Sequence, residues 1–153
     1  MTSQPTDILE SLLTSTHRLT RIAAQETGRT TSPAVWRTLS ILTTDGDLRV
    51  GDLARASRVS QPTMTKLVRG LAEDELVKRI ADTDDSRAWL IAITPKGTAA
   101  LTEWRGQLAD SLGDLFADLD DDDWAVLDRA TSLLASRFSS RTDVRADTEA
   151  VFA

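Results

Sequence analysis

The chain contains no cysteine, no tyrosine, a single histidine and four prolines in 153 residues. The first absence removes disulfides, thiolate metal ligands, cysteine nucleophiles and thiol redox sensing together. His17, alone, cannot build a histidine-rich metal cluster, so no metal and no cofactor is expected. Catalytic constellations are missing too: no Ser-His-Asp set, phosphate-binding glycine loop or paired carboxylates can be assembled, which argues against an enzyme. The run DLDDDDW at 118–124 lacks the central Gly and closing Glu of a calcium-binding loop and reads as the start of a helix. Basic leader sequence followed by an apolar run is absent from MTSQPTDILESL, and no segment approaches the roughly 20 apolar residues that span a bilayer. The simplest expectation is a cytoplasmic protein.

What is present is an ordinary globular composition, 41% hydrophobic and 27% charged, enough for one domain with a core. The net charge of −6 is unevenly spread. Residues 1–35 carry three Lys or Arg against three acids, 36–97 ten against nine, and 98–153 five against twelve. The excess acid therefore lies in the last third, and the overall sign says little about what the middle can bind.

Residues 7–25 place Ile8, Leu12, Leu19 and Ala23 on one stripe with Leu9 and Leu13 beside it, which predicts an amphipathic helix. Ser32 and Pro33 open a second helix as N-cap and first residue; Val35, Trp36, Leu39, Ile41 and Leu42 give it an apolar face. A turn on Asp45-Gly46-Asp47 leads to VGDLARAS, long enough for two helical turns. Ser60 then caps a helix whose inward stripe is Met64, Leu67, Val68 and Leu71. LVKRI and AWLIAIT, separated by ADTDDSR, have the branched and aromatic content of a β-hairpin ended by Pro95. From Leu101 through Trp104, Leu108, Leu112 and Leu115 to Leu119 the spacing predicts a helix of about five turns. Asp120 to Asp123 begin a last helix with Trp124, Leu127, Leu134 and Phe138 as its buried stripe, and the polar tail from Ser139 is expected to fray.

The order helix, helix, short helix, hairpin over 32–97 is that of a winged helix-turn-helix. Its second short helix, SQPTMTKLVRGL, carries no acid and leaves Gln61, Thr63, Thr65, Lys66 and Arg69 outside the apolar stripe. Gln can pair with adenine, Thr can touch a thymine methyl or a phosphate, and the two cations can reach the backbone. A solvated helical face is the plainer reading of the same residues. At the hairpin tip, an Asp85 to Arg87 contact would hold the guanidinium for a minor groove, or would be an ordinary surface ion pair.

Residues 50–97 resemble the MarR (multiple antibiotic resistance regulator) family of bacterial transcription factors. The matches are DLA at 52–54, VS at 59–60, TMTKLV at 63–68, LV and Arg79 across 76–79, and a wing pattern running from Asp82 through Asp85 and Arg87 to ITPKG at 93–97. The flanking helices continue the likeness over nearly the whole chain. The resemblance implies a mainly α fold with a small β-hairpin wing, in which 1–31 and 98–153 form a helical dimerisation region around the winged segment 32–97. It implies a homodimer, an inverted-repeat operator in double-stranded DNA, groove contacts from Ser60, Gln61, Pro62, Thr63, Thr65, Lys66 and Arg69, and wing contacts from Ser86 and Arg87 supported by Asp85. It further implies a repressor released by a small aromatic or anionic effector held between the dimer helices and the winged region, where His17, Arg21 and Trp36 would supply charge, a polar handle and an aromatic wall. An exposed histidine and a core tryptophan are the alternative for those residues. Two positions depart from the pattern: Ser86 stands where family wings carry a second basic residue, and Glu75 where the recognition helix often ends in Gly, so that a different termination is expected. A helical interaction module that kept this fold without binding DNA is the competing function.

Overall fold

A computed structural model describes residues 4–26, 32–85 and 87–151. The chain divides into two units, Met1–Gly113 and Asp114–Ala153.

The first unit holds α1 (Pro5–Glu26), α2 (Pro33–Thr44), β1 (Leu48–Arg49), α3 (Val50–Ser57), α4 (Gln61–Glu73), β2 (Val77–Ala81), β3 (Trp89–Ile93) and α5 (Pro95–Ser111). Each expected cap is made. The Ser32 hydroxyl accepts from the Ala34 amide ahead of Pro33, and the Ser60 hydroxyl accepts from the Thr63 amide at 3.2 Å. α2, α3 and α4 pack around Leu39, Leu42, Leu53, Met64, Val68 and Leu71, with Val77, Ile91 and Leu101 closing the core from the sheet and α5. The buried faces of these three amphipathic helices are held by apolar area removed from water, about 25 cal/mol per Å².

The hairpin pairs Val77 with Ile93 through Ala81 with Trp89, antiparallel. It is joined by a strand that the sequence pattern did not predict: β1 adds Leu48 against Ile91 and Arg49 against Leu90, so the sheet order is β1-β3-β2.

α4 does not end differently from the glycine-terminated pattern. The Leu76 amide donates to the Leu71 carbonyl at 2.8 Å and the Glu75 amide to the Ala72 carbonyl, the paired bonds of a left-handed helix stop. Glu75 occupies the left-handed position at φ 62°. A glutamate accepts this conformation at a cost of about 1 kcal/mol relative to glycine because its Cβ crowds the following carbonyl.

ITPKG is the joint between the wing and α5. Thr94 caps α5 by accepting from the Gly97 amide at 3.0 Å, and its hydroxyl donates to the Glu75 carbonyl at 2.6 Å. The Thr94 amide donates to the Leu76 carbonyl at 3.0 Å. Gly97 rides directly on that peptide: a Cβ added there would overlap the Leu76 carbonyl oxygen and stand 2.9 Å from Ile93 Cγ1.

Helix α5 is shorter than the leucine spacing predicts. It stops at Ser111, Gly113–Phe116 form a 3₁₀ turn, and the leucine repeat continues through that break. Leu112 caps the helix, its amide donating to the Ala109 carbonyl at 3.1 Å. In the second unit α6 (Asp121–Val151) begins where the aspartates predict, with the Asp120 carboxylate accepting from the Asp123 amide at 2.9 Å. It continues beyond Ser139, where fraying was expected. Its apolar stripe is not buried as expected: Trp124, Leu127 and Phe138 are exposed, and only Leu134 is half-buried. Among the described residues the 3₁₀ turn and a single helix offer this unit no second layer, and Trp124 tilts against the ring of Phe116, centroids 6.1 Å apart. On α1, Ala23 is buried and Leu12 and Leu19 are half-buried, while Ile8, Leu9 and Leu13 face outward.

Candidate nucleic-acid interface

α4 presents its outer face by the arithmetic of the helix. With Met64, Val68 and Leu71 turned into the core, Gln61, Pro62, Thr63, Thr65, Lys66 and Arg69 are all exposed, and Ser60 is exposed at the cap. The Ser60 and Thr63 hydroxyls lie 2.7 Å apart, and the Thr65 hydroxyl donates to the Gln61 carbonyl at 2.9 Å. These small polar groups are thereby tied to the helix, and their remaining capacity points away from it. Lys66 and Arg69 enter no ion pair among the described residues. The Gln61 carboxamide leans toward α3, its oxygen 3.6 Å from where a Cβ on Gly51 would stand. A methyl at Gly51 would make ordinary van der Waals contact with it.

The wing is fixed at its base by a contact that sequence reasoning missed. Asp82, its side chain only 7% exposed, receives the Nε and Nη2 of Arg49 on one carboxylate oxygen at 2.8 and 2.6 Å. Its other oxygen accepts from the Asp84 amide at 2.9 Å. Arg49 also lies 3.9 Å from Asp85. The two partners are 33 residues apart in the chain, and only β1 beside β3 brings them together. Asp85 supports the tip differently from the pictured side-chain pair: its carboxylate accepts the backbone amide of Arg87 at 3.0 Å. The Arg87 side chain is exposed. Ser86 lies outside the described residues.

The Asp84 amide, then the Arg49 guanidinium, hold the Asp82 carboxyl below the usual aspartate range. Ionised Asp82 therefore stabilises the wing at every pH above its unfolded-state value, and that contribution is lost as pH falls through the lowered folded value. The Asp84 amide proton should report this in an acid titration followed by NMR, with an inflection below the ordinary aspartate pKa of about 3.9. Asp82→Asn should erase the inflection; an inflection at or above the ordinary value would refute the clamp.

His17 and Arg21 lie one turn apart on the exposed face of α1. Trp36 is half-buried and stacks on Trp104, ring centres 4.8 Å apart, with Arg105 donating to the Ser40 hydroxyl at 3.2 Å nearby. A cleft of about 380 Å³ runs between α2, the end of α3 and α4, and none of these three residues lines it. Among the described residues no helix is long and apolar enough to cross a membrane.

Compared with known proteins, residues 31–89 match the model described as the MarR family. An HTH-type transcriptional regulator of Bacillus subtilis, YsmB, is 27% identical over 85 residues, covering 56% of this chain and 58% of that protein. The chain thus aligns with little more than half of that relative's length. Among solved structures, a transcriptional regulator from Thermotoga maritima superposes with a TM-score of 0.68 at 19% identity, over 90% of this chain and 98% of that one. The Bordetella bronchiseptica protein BpsR, whose DNA binding is regulated by 6-hydroxynicotinic acid, superposes with a TM-score of 0.54 at 19% identity, over 87% and 94%. At such identities the likeness establishes the fold.

Proposed function

We propose that the chain, whose residues 31–89 match the MarR family model, is a member of that family and a homodimeric, sequence-specific DNA-binding transcriptional regulator of the cytoplasm, a repressor released from an inverted-repeat operator by a small ligand. The observation that carries this reading is the outer face of α4: five exposed polar or cationic positions from Gln61 to Arg69 without an acid among them, on a helix capped and packed so that this face is rigid. Gln61 and the threonines would read base edges, Lys66 and Arg69 would hold phosphates, and Arg87 would enter the minor groove beside them.

The dimer is supported by apolar side chains that neither unit covers by itself, Ile8, Leu9 and Leu13 on α1 and Val126 and Leu133 on α6. A two-fold pair would set two copies of α4 on half-sites one helical turn apart. Ligand release is supported by BpsR, a fold neighbour regulated by an aromatic acid. His17, Arg21 and Trp36 are the proposed effector contacts. An effector that binds better to a dimer with mismatched half-site spacing draws the population off DNA by its differential affinity alone.

Selection of bound duplexes from a random-sequence pool tests the reading. The expected product is an inverted repeat, and Gln61→Ala should relax the preference at one position of each half-site. Recovery of no enriched sequence, with no duplex retained even at low salt, would favour the interaction module instead.

A further inference from the structure

Two residues other than glycine take left-handed backbone among the described residues, Glu75 and Arg58. A Cβ in that conformation crowds the following carbonyl, and glycine or asparagine is the usual occupant. The side chain of Glu75 is used within the protein, where its carboxylate accepts from Lys96 Nζ at 3.1 Å. That of Arg58 is exposed and enters no ion pair among the described residues.

The turn dictates the conformation at this position without dictating the residue. Arg58, at φ 56° and ψ 44°, closes α3 by donating its amide to the Ala54 and Arg55 carbonyls, and the Val59 amide donates to the Ala54 carbonyl at 3.0 Å. Ser57 on one side is buried, and Val59 on the other packs against the core. Nothing in that geometry asks for arginine, and glycine would suit the backbone better. What arginine adds is a charge, two residues ahead of the Ser60 cap of α4. Residues 53–72, from within α3 to near the end of α4, hold Arg55, Arg58, Lys66 and Arg69 and no acid. Arg55 is taken by Asp52 at 3.1 Å. A further cation comes from α2: Arg37, also without an ion pair among the described residues, donates its Nη1 to the Ser57 carbonyl at 3.3 Å, one residue from Arg58. Strained backbone of this kind persists where function uses it.

We propose that Arg58 is a phosphate contact: its guanidinium holds one backbone phosphate of a DNA duplex at the rim of the groove that α4 faces, and Arg37 adds charge of the same sign at the same turn. The assignment rests on the DNA reading proposed above and extends the contact surface from α4 to the α3–α4 turn. Arginine suits the task, since its fork of N–H donors matches the oxygens of a phosphate. Such a contact positions the protein without reading sequence, so it acts on any duplex. Stability and binding then pull in opposite directions at one residue, because the left-handed turn favours glycine while the phosphate favours a cation.

The test compares the full chain with Arg58→Gly, which removes charge and strain together, and Arg58→Lys, which keeps both. Thermal unfolding of the free proteins should place Arg58→Gly a few degrees above the parent and Arg58→Lys beside it. Fluorescence anisotropy with a mixed-sequence duplex of about 30 base pairs, across a salt series, reads the contact itself. Arg58→Gly should bind about ten- to thirtyfold more weakly near physiological salt, with a slope of log affinity against log salt shallower by about 2, one phosphate for each protomer of a two-fold pair. Arg58→Lys should keep the parent slope. A variant that is more stable and yet binds less cannot owe the loss to misfolding. Arg58→Gly with the parent slope, Arg58→Gly weakened in stability and binding alike, or Arg58→Lys losing as much slope as Arg58→Gly would each overturn the assignment. A parent that retains no duplex even at low salt would sink the DNA reading and this contact with it, whereas a parent that binds beside an Arg58→Gly protein of equal slope sinks the contact alone.

Discussion

Replacing Lys66 and Arg69 together by alanine is expected to cut duplex affinity by about two to three orders of magnitude near physiological salt, with the fold unchanged. Both side chains are exposed at the centre of the α4 face, neither is tied up in an ion pair among the described residues, and a two-fold pair presents each of them twice. Each phosphate neutralised contributes about −0.9 to the slope of log affinity against log salt, so four lost contacts should make that slope shallower by roughly 3 to 4. Sequence preference should survive, since phosphate contacts position the protein and base contacts specify the site. Fluorescence anisotropy across a salt series reads both quantities. A double variant whose slope matches the parent would place these cations away from DNA, whatever its affinity.

Among the described glycines, Gly97→Ala should place the added methyl against the tightest contact. The added carbon meets the Leu76 carbonyl oxygen, a backbone atom already engaged by the Thr94 amide, and Ile93 Cγ1 at 2.9 Å. Neither can withdraw without opening the start of β2 or the end of β3. Overpacking of this kind costs about 3 kcal/mol, which in a unit of this size lowers the melting temperature by 10 °C or more, on the order of 4 to 8 °C per kcal/mol. Gly106, on the same α5, is the control: a Cβ there meets nothing within 4 Å, so Gly106→Ala should be neutral or slightly stabilising. Thermal unfolding by circular dichroism separates the two, and equal shifts would show that the Gly97 contact is not the constraint.

Much of this is legible in the sequence because it is local. Ser32 before Pro33, Ser60 three residues before Thr63 and Asp120 before Asp123 announce helix starts through bonds that span three residues or fewer. The outer face of α4 follows from which residues the core takes. What spacing could not show is long-range or depends on company. Two residues are too few for β1 to have a period of its own, and the Arg49–Asp82 pair exists only because that strand lies beside β3. The leucine repeat from 101 to 119 is genuine, but apolar periodicity does not register the exit at Gly113. The α6 stripe shows the opposite limit, since a helix pattern says which side is apolar without saying what covers it. Thr38 and Ser57 look in sequence like any helical hydroxyls, yet among the described residues their buried hydroxyls have no hydrogen-bond partner.

Where α5 starts, main chain rests on main chain. Leu76, whose amide closes the last turn of α4, is also the residue on whose carbonyl Gly97 sits and to whose carbonyl the Thr94 amide donates. Side chains absorb small displacements by changing rotamer, but the Leu76 carbonyl under Gly97 is main chain and has none to change. A tilt of α5 is therefore geared to the final turn of α4 with almost no backlash, and so is the pitch at which the Gln61 to Arg69 face meets whatever lies in front of it.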